Sequence, residues 1–257
     1  MFDMHSHILW GMDDGAKSIE DSVAMGSIAY NEGIHTIVAT PHFRHIEDLC
    51  TFLSDMDEKR KLLKPSLQVL NVDIDIVRGA EVYIDMDIID SGYLDRLGLG
   101  GSRYILVELP SMEVPHFAEY FMYELQLKGF IPVIAHPERN SAIIRDPNIL
   151  YNFVDAGCLS QVTSSSLTGV FGSKVRECAR ILLTHDMVHM LGTDAHSVGR
   201  RGPYMEEARE ELISLVGEKK AQDILYNIPQ LILNDELMEV VPPIRYKKKR
   251  KRFFGLF

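Results

Sequence analysis

Cysteine is scarce in this chain, with Cys50, Cys158 and Cys178 the only three among 257 residues. Three scattered thiols cannot build a disulfide framework, and no C-x-x-C spacing points to a redox pair or a thiolate metal site. They are expected to be buried, reduced and inert. The residues six positions after them are Met56, Ser164 and Thr184. None is arginine, so a C-x5-R phosphatase loop is excluded, and cleavage of a phosphate ester would need another nucleophile. Also missing is any apolar run near the ~20 residues that cross a bilayer. The first residues carry acids and a histidine where a secretory signal has a basic end and an apolar stretch. A cytoplasmic protein is therefore expected. Internal repeats and long Gly/Ser linkers are absent as well, and 46% hydrophobic with 25% charged residues describes an ordinary globular protein.

The net charge of −10 is unevenly spread. Residues 245–252 hold seven basic residues and no acid, which leaves 20 basic against 37 acidic residues in 1–244, a net −17. So acidic a body repels nucleic acid over most of its surface, and no basic groove can be identified, so nucleic acid is not expected as a partner.

The length suits one β/α barrel or one open α/β sheet. Seven β-branched or apolar segments predict strands: Phe2 to Met4, Ile34 to Ala39, Ile74 to Val77, Tyr104 to Val107, Ile131 to Ala135, Leu159 to Val162, and Val188 to Leu191. Helical patterns lie between them. One starts at Ser18, a capping residue with Asp21 to complete a box, and stops at Gly33. Another runs from Pro115 to Lys128, with Phe117, Tyr120, Phe121 and Leu125 on its apolar face and Gly129 as its stop. Ser173 to His185 and Pro203 to Val216 read alike. Alternating strands and helices predict parallel strands with right-handed crossovers. Residues 1–241 are expected to form a single barrel, and 242–257 a basic and aromatic tail outside it.

Almost every predicted strand ends in groups that bind metals. The ends read His5-Ser6-His7, Thr40-Pro41-His42, Gly79-Ala80-Glu81, Glu108-Leu109-Pro110, His136-Pro137-Glu138-Arg139 and Asp194-Ala195-His196, and Asp13-Asp14 follows the first. In a parallel barrel these ends open on one face. His5 and His7, two apart on an extended segment, point to one side and can share an ion, and the same is expected of Asp194 and His196. One such pair is weak, but six agreeing ends are not a surface coincidence. Glu108 lies among apolar neighbours, where an unpaired carboxylate would cost several kcal/mol and a metal removes that cost.

The candidates are His5, His7, His42, His136 and His196 with Asp14, Glu81, Glu108 and Asp194. Nine ligands exceed the four to six or so that one first-row ion takes. Three divalent ions against four carboxylates would leave two positive charges, the match for a phosphate monoester dianion. Mixed nitrogen and oxygen donors without thiolate favour manganese, iron or zinc. Arg139, and Arg200 or Arg201, would stand at the same rim and could clamp a phosphate.

With Gly11-Met12-Asp13-Asp14-Gly15-Ala16, Gln161-Val162-Thr163-Ser164 and Gly169-Val170-Phe171-Gly172 added, these segments resemble the PHP-type (polymerase and histidinol phosphatase) bacterial protein-tyrosine phosphatases of capsule and exopolysaccharide operons, the CpsB/CapC/YwqE group. The resemblance spans nearly the whole chain. It implies a distorted (β/α)7 TIM-like barrel, three divalent metal ions with manganese most often serving, and hydrolysis of phosphotyrosine on a cognate bacterial tyrosine kinase. It makes His5, His7, Asp14, His42, Glu81, Glu108, His136, Asp194 and His196 the metal ligands, with Glu81 as the bridge. Arg139 and Arg201 would be the catalytic phosphate-binding arginines, Arg201 because the family arginine falls five residues after the histidine. One departure is the run Ser164-Ser165-Ser166, where a glycine among the serines is expected.

Two rivals remain: a PHP-type phosphatase of a small metabolite such as histidinol phosphate, and a non-catalytic regulator that binds the kinase. The segment Lys247 to Phe257 could contact an anionic membrane, which would place the protein peripherally at the inner face of the membrane. Docking on an acidic partner and simple solvation are its other readings.

Overall fold

The computed structural model describes residues 1–248. It contains nine parallel β-segments among the described residues: β1 (Phe2–Ser6), β2 (Thr36–Ala39), β3 (His42–Phe43), β4 (Asp75–Arg78), β5 (Glu81–Tyr83), β6 (Tyr104–Glu108), β7 (Ile131–Ala135), β8 (Leu159–Thr163) and β9 (Met190–Gly192). One sheet runs β1-β2-β4 and the other β3-β5-β6-β7-β8-β9. The two sheets are parts of one ring. Pro41 has no N–H to give a ladder and separates β2 from β3, while Gly79-Ala80 separates β4 from β5. Backbone bonds continue across both breaks, from Thr40 N–H to Ser6 O at 2.9 Å and from Glu81 N–H to Pro41 O at 3.1 Å. The seam between β9 and β1 is closed by Asp194 N–H to His5 O at 2.7 Å and His7 N–H to Ala195 O at 2.9 Å. Seven strand passages thus curl into the distorted parallel barrel expected from the sequence.

Alternation along the strands sorts the core into two. Met4, Val38, Leu106, Val133, Leu159 and Met190 fill the barrel interior. Ile37, Ile105, Val107, Ile134, Val162 and Leu191 face the helices. Tyr104 plugs the end opposite the site, its hydroxyl donating to Glu236 O at 2.6 Å.

The helix Ile19–Asn31 is capped by Ser18, whose hydroxyl accepts from Asp21 N–H at 3.3 Å. Asp21 closes the turn on Lys17 N–H rather than on Ser18, a variant of the expected box. Gly33, at φ 78°, ends it with two bonds, Gly33 N–H to Tyr30 O and Ile34 N–H to Ala29 O, the left-handed closure that glycine takes without strain. The helix predicted from Pro115 is Ala118–Leu127, and its buried face is Ala118, Phe121, Met122 and Leu125. Phe117 and Tyr120 are exposed, so the predicted face was rotated toward solvent. A long helix, Leu49–Val69, has no counterpart in the sequence reading. Pro65 and its many charges hide it, yet Phe52, Leu53, Met56, Leu63 and Leu67 pack one side. Cys158 and Cys178 are buried, with burial pushing both thiols up to about 12, whereas Cys50 is exposed, contrary to expectation. Ser164–Leu167 forms a short helix without a left-handed residue, so the serine run needs no glycine. Residues 244–246 lie on the barrel rather than apart from it. Ile244 N–H donates to His185 O at 2.8 Å, and Tyr246 N–H to Asn148 Oδ1 at 3.0 Å. The tail beyond residue 248 lies outside the described residues.

Gly192 lets β9 approach β1. A Cβ there would stand 2.5 Å from His5 Cβ and 2.9 Å from Gln161 Nε2. Gly192→Ala is expected to lose about 1–3 kcal/mol, the usual cost of overpacking, in a denaturant titration. Unchanged stability would contradict the tight seam.

Candidate metal centre

All five candidate histidines and the four candidate carboxylates meet at the C-terminal end of the barrel. His5 and His7 bring their Nε2 atoms to 3.1 Å of each other. The far side of each ring fixes its proton. His5 Nδ1 faces Gln161 Oε1 at 2.8 Å, His7 Nδ1 faces Asp13 Oδ2 at 2.6 Å, and His196 Nδ1 faces the Asp194 carbonyl at 2.9 Å. With an acceptor on each Nδ1, each ring when neutral turns its Nε2 lone pair inward, the arrangement of metal-bound histidine, with Arg201 Nη2 also 3.2 Å from His196 Nε2.

Glu81, fully buried, sits where these lone pairs converge. Its Oε2 lies 3.2 Å from His5 Nε2, 3.3 Å from His7 Nε2 and 3.0 Å from His42 Nδ1, and its Oε1 lies 2.7 Å from His136 Nε2. Three sets of ligand atoms each lie within 4.8 Å of one another: His7, Asp14, His42 and His196; His5, His7, Glu81 and Asp194; and His42, Glu81 and Glu108. His136 joins through Glu81. The fit to a cation shows in atoms that nothing else satisfies. Glu81 Oε2, Glu108 Oε2 and His42 Nδ1 are buried without a hydrogen-bond partner, although His42 Nδ1 lies 3.0 Å from the first and 3.4 Å from the second. They are close but misaligned for hydrogen bonds, as atoms aimed at a common ion would be. Buried polar atoms rarely go unpaired.

The electrostatics agree. Burial opposes charge on His7, yet hydrogen bonds to Asp13, Asp194 and Glu81 hold its pKa well above the usual histidine value. Burial likewise opposes charge on Asp194, but Arg139 and then His7 keep it well below the usual carboxylate range. Burial is outweighed at Glu81 too, chiefly by His5, then by the His136 hydrogen bond and the nearby His42 ring. Protons favoured on His5, His7 and His42 thus occupy the cationic role that divalent ions would take, while His196 is pushed down to about 4 by burial and by His7.

Two backbone positions depart from the expected extended strand ends. Asp194 has φ 50° and His136 φ 33°, both left-handed and uncommon for residues other than glycine. Asp194 and His196 therefore do not pair along a strand as expected: His196 Nδ1 is 3.5 Å from Asp194 Oδ1, but the two side chains fall in different sets of converging ligand atoms. Strain held at such positions is typical of a functional site.

Arg139 Nη1 lies 2.6 Å and Arg201 Nη2 3.0 Å from the same atom, Asp194 Oδ2. The Arg139 guanidinium also stacks over Phe171 at 5.1 Å. Arg200 turns away and donates to Val170 O. Arg139 and Arg201 both line a cavity of about 410 Å³ that exposes His42, Glu81, Glu108, His136, Asp194 and His196.

Four supporting residues were not given these roles by the sequence. Asp13 accepts from His7 and also from the N–H groups of Gly15 and His42. Gln161 orients His5. Asp3, fully buried, accepts from Thr193 N–H at 2.7 Å and from the Thr193 hydroxyl at 2.5 Å, and burial pushes it up to about 6. Asp3 shares the period-two face of His5 and His7, a signal present in the sequence. Glu138, also fully buried, accepts from Ser166 Oγ at 2.6 Å and Thr163 N–H at 3.0 Å, tying the Arg139 turn to β8. No sequence pattern marks it. Of the remaining histidines, His189 is structural: its Nδ1 accepts from Ser160 N–H at 3.1 Å.

A parallel barrel with this inventory at its strand ends defines a metal-dependent phosphatase of the PHP type. Comparison with known proteins makes the assignment particular. Residues 1–234 match the family model "Capsular polysaccharide synthesis, CpsB/CapC". The chain is 36% identical to the tyrosine-protein phosphatase YwqE of Bacillus subtilis over the full length of both, and 31% identical to the tyrosine-protein phosphatase CpsB of Streptococcus pneumoniae over 93% of this chain and all of that protein. A crystal structure from work on YwqE and CpsB, described there as metal-dependent tyrosine phosphatases, superposes with a TM-score of 0.89 at 34% identity, covering 96% of this chain and all of the other. Dihydropyrimidinase of Brevibacillus agri, at 12% identity and a TM-score of 0.58 over 90% of this chain and 70% of its own, shares the fold alone. The chain belongs to the CpsB/CapC family.

Removing the acceptor behind His7 should loosen the site without touching a candidate ligand. Asp13→Ala is expected to weaken metal binding 10- to 100-fold, the usual cost of losing such a partner, in a chelator competition titration. Wild-type affinity would show that Asp13 does not orient the ring.

Proposed function

We propose that the chain is the metal-dependent tyrosine-protein phosphatase of its family, removing phosphate from phosphotyrosine on a cognate bacterial tyrosine kinase and so regulating capsule or exopolysaccharide synthesis. The observation that carries this reading is the convergence of unpaired ligand atoms on Glu81 with two guanidiniums at the Asp194 side of the same cavity. The metal set is His5, His7, Asp14, His42, Glu81, Glu108, His136, Asp194 and His196. The three sets of converging atoms support three divalent ions, manganese before iron or zinc given the nitrogen and oxygen donors. Residues 1–241 form the phosphatase barrel, and 242–257 the tail.

Bound ions would supply a hydroxide near neutral pH and screen charge on the phosphoryl oxygens. The rest falls to side chains. Arg139 and Arg201 hold the phosphoryl group through donors that Asp194 does not use, planar forks suited to a phosphate. Asp194 keeps both guanidiniums in place, and Phe171 flattens Arg139 against the wall. The leaving group is an aryl oxide whose parent phenol has a pKa of about 10, so it departs with less proton assistance than a serine alkoxide. That chemistry fits a site rich in ligands and arginines.

No helix among the described residues is long and apolar enough to cross a membrane. The protein acts in the cytoplasm, and the segment Lys247 to Phe257, described only as far as residue 248, brings it to the inner face of the membrane.

Phosphate release from a phosphotyrosyl peptide, a phosphoseryl peptide and histidinol phosphate, each with manganese and with EDTA, tests the reading. Manganese-dependent, EDTA-sensitive release favouring the tyrosyl peptide is expected. Preference for histidinol phosphate would make the enzyme metabolic, and no cleavage at all would leave a regulator. In the same assay His136→Ala should abolish turnover in a folded protein, and Arg139→Ala should raise KM and lower kcat. Unchanged turnover in either removes that residue from the mechanism.

A further inference from the structure

A third guanidinium reaches the catalytic cavity and has no part in the scheme above. Arg44 follows β3, and its side chain is 54% exposed. Its Nη2 stands 3.8 Å from Glu108 Oε2, and its Cζ lies over the Tyr83 ring at 5.4 Å from the centroid. Arg139 and Arg201 gather at Asp194, whereas Arg44 stands beside Glu108. It lines both the phosphate cavity and a second groove that continues along Met12, Phe43, Thr51 and Phe52. Any phosphate ester held at the ions must pass its organic group out through the mouth of this cavity.

We infer that Arg44, stacked on Tyr83 between the two cavities, is a specificity-determining residue that receives the aromatic ring of the phosphorylated side chain. The inference rests on the phosphatase reading and deepens it. One face of the guanidinium is covered by Tyr83. More than half of the side chain is exposed and it lines both cavities, so the planar cation is accessible to a second aromatic ring, which stacks on it favourably. Glu108 holds the group without burying it, so stacking costs little desolvation. A serine or small alkyl phosphate offers nothing to that face. The groove beyond, with Asp48 and Asp55 on its wall, would repel an acidic partner, so Arg44 is better placed to hold a ring than a neighbouring carboxylate.

Binding and turnover separate this inference from the reading it rests on. Binding of benzylphosphonate and of propylphosphonate to the metal-loaded full chain, followed by calorimetry, needs no hydrolysis. The aryl compound should bind about tenfold tighter to the wild type. Arg44→Ala should bring the preference to about twofold or less, Arg44→Lys should retain little of it, and Tyr83→Phe should keep it because the ring is still present. Metal content is measured on every variant, and equal loading shows that loss of preference is not loss of ions near Glu108. An equal fall in affinity for both phosphonates would make Arg44 a general anion attractor and overturn the inference, as would an unchanged aryl preference in Arg44→Ala. Wild-type turnover of a phosphotyrosyl peptide reports separately on the phosphatase. Its absence alongside an Arg44-dependent aryl preference would sink the phosphatase reading and leave the ring site standing, while turnover without aryl preference would do the reverse.

Discussion

Everything at the open end of this barrel is arranged around the carboxylate of Glu81. An isolated buried carboxylate costs several kcal/mol, and this one is surrounded by four imidazoles rather than by solvent. His136 reaches one oxygen at 2.7 Å, but the other, Oε2, has no ordinary hydrogen-bond donor. Three of the five rings in the centre have their Nδ1 protons committed outward to Asp13, Gln161 and the Asp194 carbonyl, and so face the centre with lone pairs. Carboxylate oxygens and lone pairs pointed at one another are stable only around cations. The supporting shell therefore does as much as the ligands: it sets which atom of each ring is available.

That constraint extends into the fold. His5 can stand against β9 only because Gly192 has no side chain, and the seam bonds that bring Asp194 across β1 force it into a left-handed turn. Asp194 then does two jobs, joining the ligand cluster with one oxygen and holding Arg139 and Arg201 with the other. The two arginines and the candidate ligand cluster are linked through one carboxylate. A family of capsular polysaccharide synthesis built on this plan needs no thiolate nucleophile, in keeping with two buried cysteines whose thiols are pushed up to about 12 and a third that does not line the cavity.

Much of this was legible in the sequence because barrel topology converts position along the chain into position in space. A histidine or acid just past an apolar β-run must emerge on the same face as every other such residue, which is why the sequence alone groups His42, Glu81, Glu108 and His136. The period of two placed His5 beside His7. What the sequence concealed depends on tertiary approach. The helix Leu49–Val69 is masked by Pro65 and by charges on its outer side, and the true face of Ala118–Leu127 is set by what it packs on. Asp13 and Glu138 act through neighbours brought close by folding, Glu138 through Thr163 and Ser166 on the next strand passage. Arg44 and Tyr83 are far apart in sequence and meet only because β3 and β5 are paired.

On the proposed reading, the unpaired atoms around Glu81 are the ligands of divalent ions. The most direct measurement is an anomalous-difference map from crystals grown with manganese. Three peaks, one in each set of converging ligand atoms, are predicted, two of them sharing Glu81. A map without peaks in this cluster, with the histidines protonated and paired to the carboxylates instead, would contradict the account.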